Sequence, residues 1–357
     1  MKAAVVVGYN DIRIQDIPEP SCGPKDIKVE VAYCGICGSD IPRVLKGSCH
    51  SFPQVLGHEF SGRVVEVGAN VNGFSIGDHV VGVPLVPCFK CDDCAKGDFS
   101  LCKHYSFVGS RQQGAMAEYV VIPAENAIKV DSNVPLNHAA LTEPSTVALH
   151  GVLRHGFSPN DDEWVAVIGM GPIGLFTLEW CKLLGAKHII LVGRNKQRLS
   201  MSKKYGAAEV VSSLDSDCVN QIDSLTGKKG CAYVFDAVGS KETAVLALKI
   251  AANHGVVCMI GTPTSQMLFD VKEWELINRR EIVLTGSWMS YSSPWPGNEW
   301  TKTLTCMKDG ELIIGDEFIA DTVPIDNVRD VFSRFEKDRA SIKGRMMLQI
   351  RPHSNEL

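Results

Sequence analysis

The stretch Trp164–Gly174, WVAVIGMGPIG, decides the fold. Val165, Val167 and Ile168 form an apolar run too short for a helix and β-branched enough for a strand covered on both faces, which implies a parallel sheet. Gly169, Gly171 and Gly174 then keep the GxGxxG spacing: one glycine for a tight turn, one for close approach of a pyrophosphate, one for packing helix on strand. Pro172 suits a first helical turn. A helix is expected from Ile173 to Leu184, its first amides and positive dipole end turned to the phosphates, until Gly185 stops it.

Glycine-rich turns are common, so the surroundings matter. A second apolar run, His188–Val192, follows at strand-helix-strand distance, and further runs at 232–235, 256–260 and 282–285 read as strands. They alternate with helical stretches at 196–205 and 242–252. This is the pattern of a doubly wound α/β sheet, and the intact glycine spacing favours a bound dinucleotide over an empty crevice. About twenty residues past the glycine turn, an NAD site carries a carboxylate for the ribose hydroxyls. Here that position is Gly193, followed by Arg194, Asn195, Lys196, Gln197 and Arg198. An anion is missing and cations are added, at a helix start where the dipole mildly disfavours them. Arg194 stacking on adenine or clamping a 2′-phosphate, with Arg198 closing from the next turn, predicts NADP in preference to NAD.

The chain's 357 residues suggest about two domains. With 45% hydrophobic and 22% charged residues and a formal net charge of -5, nothing favours a nucleic-acid partner. The N-terminal MKAAVVVGYNDIRIQ has no basic leader or cleavage pattern, and no apolar run reaches membrane-spanning length, so the expectation is a cytoplasmic protein.

Four of the thirteen cysteines, Cys88, Cys91, Cys94 and Cys102, fall in PCFKCDDCAKGDFSLC. Two-residue gaps let thiolates converge on one ion, and four sulfurs leave no open position, so a structural zinc site is expected. An iron-sulfur cluster also takes four thiolates. A nucleic-acid-binding ribbon is opposed by Asp92, Asp93 and Asp98.

A second constellation is scattered: Cys37 between glycines, His58 and Glu59 after Gly57, and Glu143 before Pro144 in an otherwise apolar helical stretch where a carboxylate needs a partner. A mixed Cys, His and Glu set suits a catalytic zinc with a position left for water or substrate, and Asp40 is the candidate to hold the second ring nitrogen of His58. Around these residues, alternating segments before residue 34 and the runs FSGRVVEVG and GDHVVGV read as strands, with no long helix before residue 136. An irregular β domain is expected there.

The motifs GICGSD, GHE, the four-cysteine lobe, the EP dipeptide and VIGMGPIG stand in the order found in zinc-dependent medium-chain dehydrogenases, and the chain resembles that family over essentially its whole length. SDIPR (39–43), PCFKC (87–91), VGSR (108–111) and GSWMSYSSPWPG (286–297) resemble its polyol-phosphate branch. The resemblance implies a GroES-like catalytic domain in two parts, residues 1–150 with the zinc lobe at 87–103 and the return segment 290–357. A Rossmann domain at 151–289 is implied between them, with the active site in the cleft, in a homodimer or homotetramer. Cys37, His58 and a carboxylate would hold the catalytic zinc, Glu59 and Glu143 as alternating or water-bridged ligands, and Ser39 would relay the proton as hydride passes from a secondary hydroxyl to NAD(P). Many family members place a histidine three residues after that serine; this chain has Pro42. Ribose hydroxyls, water or His50 are left to finish the relay. Arg43 and Lys46 are candidates for a substrate phosphate, and Arg111 a weaker one. A free sugar-alcohol or threonine-type dehydrogenase is the alternative substrate reading, and a non-enzymatic zinc-binding protein the alternative of another class.

Overall fold

The computed structural model describes residues 1–351, apart from the side chains of residues 196–198. The chain divides into two compact units: Met1–Glu143 with Tyr291–Leu357, and Pro144–Ser290. The first division falls inside the helix Thr142–Leu153, immediately after Glu143 rather than after residue 150.

The inner unit is a six-stranded sheet with every pairing parallel. From one edge to the other run Glu209–Ser212, His188–Gly193, Trp164–Ile168, Cys231–Asp236, Ala251–Met259 and Val283–Gly286. The order reverses between Trp164–Ile168 and Cys231–Asp236, which makes the ends of these two strands the switch point of a doubly wound fold. Val165, Ala166, Val167 and Ile189 to Val192 are fully enclosed, as near-continuous apolar runs require. The first helix is Pro172–Leu183, beginning one residue before the expected start because Pro172 itself occupies the first turn behind Gly171. Gly185 follows at φ 102°. The helix expected over 242–252 is Lys241–Ile250, capped by Ser240; Ala251 is already extended and opens the next strand.

In the outer unit a seven-stranded sheet is centred on the long strand Asp26–Ile36, which pairs antiparallel with Glu59–Val67, Tyr119–Pro123 and Arg345–Gln349. A three-stranded sheet of Asp11–Asp16, Lys2–Gly8 and Gln54–Val55 accompanies it. Only two short α-helices precede residue 136, Asp40–Leu45 and Asp92–Ala95. Among the described residues no helix is long and apolar enough to cross a membrane.

Candidate active site

The register of three neighbouring strands builds the first cluster. Gly35 pairs with Glu59 on one side and with Met347 on the other, so the turn after Asp26–Ile36 carries Cys37 to the place where Glu59 begins its strand and Arg345 begins the last one. A Cβ at residue 35 would stand 2.5 Å from Glu59 Oε2, so glycine makes the room for that carboxylate. His58 precedes Glu59 and packs edge-on against Phe107, ring centroids 5.4 Å apart. One ligand atom each from Cys37, His58 and Glu59 lies within 4.8 Å of the others. Glu143, at the start of Thr142–Leu153, is outside that set but feels the charges of Glu59, His58 and Cys37.

The cluster has more anion than its surroundings balance. Burial, then the charge of Glu59, pushes the Glu143 carboxyl up to about 8 and the Cys37 thiol up to about 11. Arg345 is the buried cation here, its Nε 2.8 Å from Glu59 Oε2 and its Nη1 donating to the Ile36 carbonyl at 3.1 Å. Even so, both Glu59 oxygens and His58 Nδ1 are buried without a properly directed hydrogen bond. Orphaned acceptors, a thiol and an imidazole within reach of one another fit a zinc ion.

A carboxylate braces the cluster from behind. Fully buried Asp40 accepts the Cys37 amide at 3.0 Å through Oδ2, and its Oδ1 stands 3.7 Å from His58 Nδ1. Arg43 Nη1 donates to Asp40 Oδ1 and to Ser39 Oγ, each at 3.0 Å. Of the residues read as phosphate candidates, Arg43 is thus tied into the site, Lys46 is exposed after the helix Asp40–Leu45, and Arg111 lies over the Tyr105 ring at 4.5 Å. Burial, then the charges of Arg111 and Arg43, lowers the pKa of His50, so these three residues share one neighbourhood.

The second cluster is the lobe. Cys88, Cys91, Cys94 and Cys102 bring their sulfurs within 4.8 Å of one another, with Cys91 to Cys94 at 3.5 Å, Cys91 to Cys102 at 3.9 Å and Cys88 to Cys94 at 4.0 Å. Sulfurs of a tetrahedral zinc site with bonds of about 2.3 Å stand about 3.8 Å apart. Backbone amides point at them: Lys90 N–H donates to Cys88 at 3.5 Å, and the Cys94 amide leads the effects that lower the Cys91 thiol to about 6.

In the inner unit each glycine of the turn has its own geometry. Gly169 has φ 110°; a Cβ on Gly171 would meet nothing within 4 Å; and a Cβ on Gly174 would collide with the Gly169 carbonyl. These are the tight turn, the open approach and the close packing that a pyrophosphate site needs. Pro172 and Ile173 form the first helical turn, Gly193 ends its strand and Arg194 is exposed beyond it. The side chain of Arg198 lies outside the described residues.

Two participants escaped the sequence reading. Arg345 could have been flagged as a charge opening an apolar strand, RMMLQ, where burial demands an anion. Met170 gave no signal, yet its Sδ lies 2.6 Å from the place where a Cβ on Gly193 would sit.

A glycine-turn dinucleotide sheet, together with one four-thiol cluster and one mixed Cys, His and Glu cluster, defines the class: a zinc-dependent, nucleotide-linked oxidoreductase. Residues 23–132 match the alcohol dehydrogenase GroES-like domain and residues 172–308 the zinc-binding dehydrogenase family. The chain is 35% identical to galactitol 1-phosphate 5-dehydrogenase of Escherichia coli (strain K12), over 87% of this chain and 90% of that protein. It is 32% identical to D-arabitol-phosphate dehydrogenase of Enterococcus avium, over 92% of this chain and 91% of that one. The crystal structure of galactitol-1-phosphate dehydrogenase from Escherichia coli superposes with a TM-score of 0.91 at 32% identity, covering 98% of this chain and 100% of that one. The chain belongs to the zinc-dependent alcohol and polyol dehydrogenase family.

Proposed function

We propose that the chain transfers hydride between a secondary hydroxyl of a polyol phosphate and a nicotinamide dinucleotide, in a reaction of the galactitol 1-phosphate to tagatose 6-phosphate type. The observation that carries this reading is the pair of cations Arg43 and Arg111, whose charges both act on His50, with Arg43 bonded to Ser39 beside the mixed Cys, His and Glu cluster. The similarity to two polyol-phosphate dehydrogenases supports it. Cys37, His58 and Glu59 would hold the catalytic zinc, with Glu143 as the alternate carboxylate, and Cys88, Cys91, Cys94 and Cys102 a structural one, two ions per chain. The catalytic ion supplies Lewis acidity that eases removal of a hydroxyl proton. Ser39 carries that proton outward, and Arg345 balances the carboxylates. A free polyol is the second reading, favoured because Arg43 Nη1 is already engaged by Ser39 and Asp40. Following the appearance of reduced cofactor with galactitol 1-phosphate and with galactitol decides between them: a kcat/KM at least about tenfold higher for the phosphate is expected, and equal values would overturn the phosphate reading.

NADP is the preferred cofactor, since Gly193 offers no carboxylate to repel a 2′-phosphate and Arg194 stands exposed next to it. The test is the ratio of kcat/KM for the two cofactors, and a ratio favouring NAD refutes the preference. Gly193→Asp alone is a poor probe because its Cβ meets Met170, so the double variant with Met170→Ala is the informative one. The open edge strand Val283–Gly286, with Val283 and Leu284 exposed, supports a homo-oligomer; light scattering should give a multiple of the 38.9 kDa chain.

A further inference from the structure

We propose that Arg43 is a positioning residue that orients Ser39 as the proton relay, and that the path ends in solvent at Ser39 without a histidine. The proposal rests on the dehydrogenase reading above and concerns a residue that the reading treated only as a cation for substrate.

A serine hydroxyl has one proton to donate and two lone pairs to accept with. Arg43 Nη1 fills one lone pair of Ser39 Oγ at 3.0 Å. What is left is one acceptor and one donor, the minimum for passing a proton through, and the Ser39 hydroxyl also bonds the neighbouring Cys37 thiol, which places it at the mixed cluster. Ser39 is exposed, so water reaches the residue. In the oxidation direction the substrate O–H breaks and its proton forms a new bond to Ser39 Oγ, while the original Ser39 proton leaves to water. The carbinol C–H leaves with its electron pair as hydride to the nicotinamide ring. Arg43 keeps its protons throughout, because a guanidinium does not deprotonate in proteins.

The same nitrogen fixes the relay relative to the metal cluster. Nη1 also donates to Asp40 Oδ1, and Asp40 is fixed in turn by the Cys37 amide and faces His58 Nδ1. Arg43 is well placed to hold this geometry: its side chain is 18% exposed, and its carbonyl accepts from Cys49 Sγ at 3.5 Å. Pro42, where the family resemblance calls for a histidine, has no side-chain donor. The groups around Arg43 are Asp40 and Ser39 on its own helix turn, His58 across Asp40, and Cys49, His50 and Arg111 from the following loops.

The test compares Arg43→Ala, Arg43→Lys, Ser39→Ala and the Arg43→Ala/Ser39→Ala double variant, with galactitol as substrate, so that no phosphate contact of Arg43 enters, and zinc content measured in each. Arg43→Ala should lower kcat by about ten- to a hundredfold, below the full worth of a proton-transfer group, while KM changes less than about threefold. Zinc should stay at the wild-type level, and added guanidinium ion should restore part of the rate. On the Ser39→Ala background Arg43→Ala should cost almost nothing further. His50→Gln should leave the kcat against pH profile unchanged. Multiplicative losses in the double variant, a pure KM increase for galactitol with kcat unchanged, or loss of the imidazole step from the pH profile in His50→Gln would overturn the proposal. If Arg43→Ala does not fold, Arg43→Lys decides: it keeps the charge but loses the planar guanidinium fork, so a partial rate loss that vanishes on the Ser39→Ala background supports the relay. Wild-type protein with no turnover on any polyol or polyol phosphate would instead refute the dehydrogenase reading.

Discussion

The two cysteine-bearing clusters are built in opposite ways. In the lobe every donor comes from residues 88–102, all four are thiols, and backbone amides supply the charge balance. The Cys37 cluster draws its donors from the end of one strand and the start of another, mixes sulfur, nitrogen and oxygen, and has a buried arginine and a buried aspartate for neighbours. A set of like ligands on one short loop can close around an ion and hold the loop. Unlike ligands fixed by a sheet keep their geometry when one position turns over, which is what chemistry requires.

Removing one ligand from each cluster is the sharpest way to break this contrast. His58→Ala should lower turnover more than about a hundredfold, beyond what losing an outer partner of a ligand costs. The inner unit should keep its fold and bind dinucleotide as before, and zinc should fall by one ion per chain. Near-normal turnover in this variant would move the catalytic centre elsewhere.

Cys94→Ser should do the reverse. Zinc again falls by one per chain, but the loss appears as stability, with the melting midpoint dropping by on the order of several degrees and kcat held within about threefold. Cys94 is the most enclosed sulfur of Cys88, Cys91 and Cys94, and burial pushes its thiol up to about 12, so without an ion it is a poor anion. Unchanged zinc content would sink the lobe assignment.

The contrast also explains what the sequence could reveal. The lobe can be read in a fifteen-residue window because its ligands are neighbours in the chain. The parallel sheet is mostly local in origin: five of its six strands are apolar runs and its glycine turn a fixed spacing, while the edge strand Glu209–Ser212, EVVS, is too short and mixed to be read from the sequence. For the Cys37 cluster, residue types at GICGSD and GHE mark candidates, but their meeting depends on the pairing of Gly35 with Glu59, which no local window contains. Arg345 reaches the Ile36 carbonyl across 309 residues of chain. Met170 lies over Gly193 because two parallel strands end side by side, a consequence of register and not of composition.

The smallest expected effect tests whether the two clusters are independent. Trp295 joins the lobe to the return segment: its ring meets Phe89 and Phe99 edge-on at 5.4 and 5.2 Å, stacks on Tyr291 at 5.8 Å, and its Nε1–H donates to the Glu125 carbonyl at 2.9 Å. Tyr291 stacks in turn on Trp300 at 5.9 Å, and burial, then the charge of Glu143, raises its hydroxyl pKa. This aromatic row is therefore a continuous packed line from the lobe toward the carboxylates of the other cluster. Trp295→Leu removes the edge-on pairs and one hydrogen bond, each worth about 1 kcal/mol, and leucine recovers part of the apolar contact, so a loss of about 2 kcal/mol is expected. Both zinc ions should remain, and kcat should stay within about twofold, because Glu59 and His58 are held by strand register and by Asp40, not by this row. A fall in kcat of more than about tenfold with zinc retained would mean that the row positions Glu143, and the lobe would then belong to the catalytic machinery it otherwise only stabilises.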